Sequence, residues 1–130
     1  KIGVKERIDE MFTLFPDLQI KKNKIAGSLS GGQRQMVAMA KALMVDAKIM
    51  LLDEPTAGLS PKFQKEIFQT IKKINENGVP ILLVEQNAKQ ALEIADEGYV
   101  LVDGANKVQG TGRELLDDRN VARMFLGSKD

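Results

Sequence analysis

Apolar side chains at Ile2, Val4, Ile8, Met11, Phe12 and Phe15 recur every three or four positions, which predicts an amphipathic helix that Pro16 ends. Residues 17–26 are polar, lysine-rich and without a clear period, and read as a connecting loop. Ser30 then opens a helix that reaches Leu43 or Met44. Residues 49–53 are short, apolar and bounded by turn residues, the pattern of a strand buried on both faces. Ser60-Pro61 starts the next helix, with proline at its favoured first position. That helix carries Phe63, Ile67, Phe68, Ile71 and Ile74 inward and stops at Asn77-Gly78. Residues 79–84 predict a second buried strand, and 87–95 another helix. Residues 99–102 and 107–110 bracket Asp103-Gly104-Ala105-Asn106 as a hairpin. Short helical pieces at 113–116 and 120–125 close the chain. There is no internal repeat and no low-complexity segment.

Strands alternating with helices of this length predict βαβ units, hence an α/β fold with a mainly parallel sheet flanked by helices. In such sheets ligands sit beyond the carboxyl ends of the strands. Asp53-Glu54 and Glu85-Gln86 both fall at such ends, so polar groups from two strands are expected on one edge.

The bulk numbers narrow the class. A chain of 130 residues is long enough to bury roughly two-thirds of its unfolded surface. Nineteen basic against eighteen acidic residues leave a net charge of +1, unlike the basic stripe that general nucleic-acid binding calls for. Without cysteine, disulfides and thiolate metal sites are excluded, which fits a cytoplasmic protein. No apolar run approaches the roughly 18 residues of a membrane span, and no signal-peptide pattern is present. Any membrane role is therefore expected to be peripheral. The chain begins at Lys1 rather than Met, which leads us to expect an excised or processed piece.

Two short segments could carry chemistry. In Leu29-Ser30-Gly31-Gly32-Gln33, Ser30 can cap the helix and Gln33, three residues on, can complete a capping box. Two glycines fit that plain reading poorly, because each costs about 1 kcal/mol relative to alanine in a helix. They suit a site where a large anion approaches the backbone, drawn by the first-turn N–H groups and the helix dipole. Both readings stand on the spacing alone. In Leu51-Leu52-Asp53-Glu54-Pro55, the acidic pair is either a solvated turn or a strand-end site. As a site, Asp53 could hold Mg²⁺, a hard cation that favours carboxylate oxygens. Glu54 could orient and deprotonate an attacking water.

Leu-Ser-Gly-Gly-Gln followed by Arg34-Gln35, then Leu51-Leu52-Asp53-Glu54-Pro55-Thr56, resembles the ATP-binding subunits of ABC transporters. Ala57-Gly58-Leu59-Ser60-Pro61, Leu83-Val84-Glu85-Gln86-Asn87 and the stretch around Thr111-Gly112 are similar to the branched-chain amino-acid uptake subgroup. The resemblance covers nearly the whole chain but only the later part of the family's domain. It implies an incomplete P-loop NTPase-like fold. Residues 1–45 would form part of the helical signature subdomain. Residues 46–130 would form the C-terminal part of a RecA-like ATPase core, with a β-hairpin near its end. Ser30, Gly31, Gly32 and Gln33 would meet the γ-phosphate of ATP held by a second ATPase subunit in a head-to-tail dimer. Asp53 would sit on the Mg²⁺ side and Glu54 would activate water. Residues 57–60 would form the dimer-contact loop, and Gln86 would take the place of a switch histidine. The implied partners are transmembrane permease subunits, with no nucleic acid and no direct insertion into the membrane. The implied location is cytoplasmic, on the inner face of the cell membrane.

Three departures from the family pattern shape the expectation. The chain has no histidine, and a glutamine amide can donate to a phosphate oxygen but cannot shuttle a proton near neutral pH. Ser60 replaces the usual aspartate of the dimer loop, removing a charge while keeping a helix-capping oxygen. No Gly-x-x-x-x-Gly-Lys-[Ser/Thr] loop occurs in these residues, and the family's glutamine-bearing loop is missing too. We therefore expect a C-terminal piece of an importer ATPase that neither binds ATP well nor hydrolyses it in isolation. Two other classes compete: an ABC-type ATPase of DNA repair or chromosome structure, and a non-catalytic interaction fragment. By resemblance, the lysine-loop strand lies between the strand ending at Val84 and the one near Tyr99. Its absence would leave open ladder edges and an apolar face, and so a chain that self-associates or is marginally stable. The 2–15 helix has a mixed polar face and is expected to pack on a core rather than on lipid. Lys21, Lys22 and Lys24 are given no role.

Overall fold

The computed structural model describes residues 3–125, which divide after Val84 into two compact units. The first contains α1 (Val4–Leu14), α2 (Pro16–Lys21), a 3₁₀ turn (Ala26–Ser28), α3 (Gly31–Leu43), β1 (Met50–Asp53), α4 (Pro61–Glu76) and β2 (Ile81–Val84). The second contains α5 (Ala88–Ile94), β3 (Glu97–Val102), β4 (Ala105–Thr111), α6 (Gly112–Asp117) and α7 (Arg119–Phe125). Ile2 of the first predicted helix lies outside the described residues.

Pro16 does end α1, but it also begins α2, so the first half of the expected loop over 17–26 is helical, and residues 22–25 remain a loop. A proline ring fits the first helical position because its missing N–H needs no partner there. Asp17 adds a favourable charge to the first turn, and Leu18 is buried. Phe15 joins the two helices and is 1% exposed. The apolar stripe of α1 is less well covered than expected, and the helix has no buried residue. Arg7 pairs with Glu10 inside the helix, at 2.9 Å, and reaches outside it to pair with Asp46.

The long helices follow their sequence patterns. α3 buries Met36, Met39, Ala40 and Leu43, and α4 buries Ile67, Phe68, Ile71 and Ile74 along one stripe. β1 and β2 pair in parallel, with Leu51 beside Leu82 and Asp53 beside Val84. α4 lies between them in the chain, as a βαβ unit requires. Both strands were expected to be buried on both faces, and they are not. Successive side chains of a strand point to opposite faces, and the face bearing Leu51, Asp53, Leu82 and Val84 is open. Leu51 remains 68% exposed. The sequence is apolar on both faces, but these residues cover only one.

In the second unit β3 and β4 form an antiparallel hairpin with a register shift between Val100 and Leu101. The turn is tighter than the four residues expected. Asp103 and Gly104 alone connect the strands, with φ of 50° and 74°, the positive pair that a two-residue hairpin turn demands. Gly112 is buried where α6 starts against the end of α5. A Cβ there would lie 2.3 Å from the Leu92 carbonyl oxygen and 2.5 Å from that of Ala95, so only glycine fits. Leu115 and Val121 complete this core. Among the described residues no helix is long and apolar enough to cross a membrane.

Candidate functional site

Ser30 stands just before α3 with extended backbone angles, and its Oγ accepts from the Gln33 N–H at 3.2 Å. The Gln33 Oε1 accepts from the Ser30 N–H at 3.0 Å in return. This is the reciprocal capping box, and it stabilises the helix start by roughly 0.5–2 kcal/mol. Arg34 steadies the approach from outside, its Nη1 donating to the Leu29 carbonyl at 2.6 Å. Capping uses the Ser30 oxygen only as an acceptor, so its O–H can still donate. Gly31 and Gly32 hold the first two helical positions, where N–H groups have no partner within the helix. The end of α3 therefore combines two amide donors, one hydroxyl and the positive end of a helix dipole.

The two glycines differ. Gly31 is exposed and Gly32 is buried. A Cβ at Gly32 would lie 2.7 Å from Phe63 Cδ1 and 3.0 Å from Cγ. A Cβ at Gly31 would meet only a methyl of Leu59, at 3.3 Å. Gly32 is thus required for packing against α4, and Gly31 is the position whose backbone is open to an incoming anion. The sequence showed Phe63 as an inward residue of α4, but nothing in its spacing linked it to Gly32.

The acidic pair lies at the end of β1. Asp53 is the last strand residue and is exposed, and Glu54 follows, half-buried. Glu54 has a φ of 44°, a left-handed conformation that costs a non-glycine residue roughly 1–2 kcal/mol. Its surroundings impose that geometry. The Glu54 N–H donates to the Val84 carbonyl at 2.8 Å, and its carbonyl accepts from Ala57 at 3.0 Å. Backbone strain of this kind concentrates where a side chain must be aimed. Pro55 and Thr56 are buried immediately afterwards. Among the described residues no cluster of three or more His, Cys, Asp or Glu could hold a metal ion alone. A single carboxylate is what Mg²⁺ uses when phosphate oxygens and water complete its shell, so the donor chemistry at Asp53 is compatible with a cation that brings its other ligands with it.

The loop after the acidic pair returns to α3. Leu59 lies against Gly31 and Phe63 against Gly32, bringing the helix start and the carboxylate loop together within one unit. Ser60 occupies the N-cap of α4, but its side chain makes no capping bond. Pro61 at the first position sets the helix start instead, a correction to the capping role expected of Ser60. Gln64, which the sequence did not single out, donates from Nε2 to the Leu59 carbonyl at 3.2 Å and the Thr56 carbonyl at 3.5 Å. Gln86 belongs to the second unit and is exposed, and its carbonyl accepts from Ala88 at 2.8 Å. Asn87 beside it caps α5 through Gln90.

The ABC transporter family model matches residues 3–57. The probable branched-chain amino acid transport ATP-binding protein LivF of Archaeoglobus fulgidus is 48% identical over the whole chain, which covers 56% of that protein. The high-affinity branched-chain amino acid transport ATP-binding protein BraG of Pseudomonas aeruginosa is 43% identical over 93% of the chain and 52% of its own length. Among solved structures, cbiO1 from Clostridium perfringens, part of the ABC transporter complex cbiONQ, aligns with a TM-score of 0.81 and 28% identity. That alignment covers 95% of this chain and 50% of the other. The chain therefore spans about half the length of the curated relatives it matches.

Proposed function

The chain belongs to the ABC transporter ATP-binding family, with the P-loop NTPase fold of its structural neighbours, and from that premise we propose that it is the C-terminal part of an importer's ATP-hydrolysing subunit. The names of LivF and BraG support a branched-chain or other hydrophobic amino acid as cargo. In this reading residues 1–45 are part of the helical signature subdomain and 46–130 part of the RecA-like core. The complete subunit works as a head-to-tail dimer on the cytoplasmic face of the membrane, docked on permease subunits.

One observation carries the reading. The amide-rich start of α3 packs through Leu59 and Phe63 onto the loop that follows Asp53 and Glu54. A subunit built this way can offer donors to a phosphate on one side and carboxylates on the other, as two nucleotides shared between two copies require. Ser30, Gly31 and Gly32 would receive the γ-phosphate held by the partner copy, with Gln33 fixing the turn. Asp53 would hold Mg²⁺, which when bound neutralises phosphate charge. Glu54 would orient and deprotonate the attacking water. Gln86 would donate to a phosphate oxygen without taking its proton. The isolated residues lack a glycine-lysine loop, so in this reading they bind Mg-ATP weakly and do not turn it over.

The experiment is Glu54→Gln in the complete subunit. Turnover should fall by roughly 10²–10⁴-fold, the range for a lost general base, while calorimetry shows Mg-ATP still bound. Turnover unchanged by the substitution would take the base role away from Glu54, and a complete parent subunit without any turnover would make the chain an interaction module with an inherited ATPase outline.

A further inference from the structure

We propose that Gln64 is a positioning residue for the reaction, tethering the loop of residues 56–59 so that the start of α3 and the carboxylate strand keep a fixed separation. The inference rests on the ATPase reading above. A glutamine amide carries two N–H donors, and the Gln64 Nε2 faces two carbonyls of one loop, Leu59 at 3.2 Å and Thr56 at 3.5 Å. The loop contains Gly58 at a φ of 70°, and the Leu59 N–H to Thr56 carbonyl bond at 3.2 Å closes it on itself. Pulling both of those carbonyls toward α4 sets where the Leu59 side chain stands, and that side chain borders the open Gly31. The residue before Gln64 is Phe63, which fills the space beside Gly32. One turn of α4 thus grips both the helix start and the carboxylate loop.

A tether that acts on geometry should move kcat and leave the Michaelis constant for ATP in place. In the complete subunit, Gln64→Leu removes both donors, Gln64→Glu keeps the shape with acceptors only, and Gln64→Lys restores donors at similar reach. We expect Leu and Glu to lower kcat about tenfold, within what misplaced groups cost, with the Michaelis constant within about twofold. Lys should recover most of the rate, and all three should melt close to the parent. Hydrogen exchange at the Leu59 amide should quicken about tenfold in the Leu and Glu variants and slow again in Lys. Unchanged exchange in Gln64→Leu, a rate that follows melting temperature, or failure of Lys to recover would overturn the tether. A parent subunit without turnover but with the expected exchange pattern would instead overturn the ATPase reading and, with it, the catalytic consequence of the tether.

Discussion

Gly32 and Phe63 compete for one space, since a Cβ on Gly32 would sit 2.7 Å from Phe63 Cδ1, 3.0 Å from Cγ and 3.3 Å from Phe63 Cβ. Rotating the ring away relieves the first clash but not the contacts near the main chain. Gly32→Ala should therefore destabilise the fold. Overpacking costs about 1–3 kcal/mol, and the gain in helix propensity returns about 1 kcal/mol. The net loss should be read by chemical denaturation, and Phe63→Leu in the same chain should recover part of it. An alanine at 32 that is neutral in both backgrounds would contradict the packing role.

Gly31 gives the opposite separation. It is exposed, and a methyl there meets only the flexible end of Leu59 at 3.3 Å. Gly31→Ala should leave stability within about 0.5 kcal/mol of the parent. In the complete subunit it should nonetheless cut ATP turnover sharply, because the added carbon stands where a phosphate must approach the amides. Equal stability with equal turnover would show that the start of α3 is only a cap.

How far the sequence could be read depends on where each signal resides. α3 and α4 were legible because Ser30, Gln33, Pro61 and the spacing of Ile67, Ile71 and Ile74 all lie inside the element they define. α2 was not, because Pro16 is equally a stop for one helix and a start for the next. The strands were right in place but wrong in burial, since Leu51 and Leu82 write an apolar face whose cover these residues do not supply. The capping box was legible in Ser30 and Gln33, yet no local pattern could tell Gly31 from Gly32. That distinction needs Phe63, far along the chain, and the Gln64 tether needs the folded loop.

The open sheet face has a consequence for the isolated chain. Leu51 is 68% exposed, Leu82 56% and Val84 55%, all on the same side. An apolar parallel ladder with an uncovered face favours association. Light scattering of the 130-residue chain should show mass rising with concentration, and Leu51→Thr with Leu82→Thr should reduce it while keeping strand-compatible residues. A monomer with sharp cooperative melting would count against this.

Acid sensitivity should appear at α6. The Glu114 carboxylate accepts from the Thr111 N–H at 2.8 Å and from its hydroxyl at 2.9 Å. The backbone bond first, and the hydroxyl second, hold its pKa below the ordinary glutamate value. A carboxylate with a depressed folded pKa stabilises the fold fully above the unfolded value, about 4.3, and loses that contribution as pH falls through the lower folded value. Glu114→Gln keeps an acceptor and removes the titration. The gap in denaturation midpoint between parent and variant should be constant above about pH 5.5 and close as pH drops below about 4. A gap that widens on acidification would mean that the charge on Glu114 opposes the helix start, contrary to the hydrogen bonds it makes with Thr111.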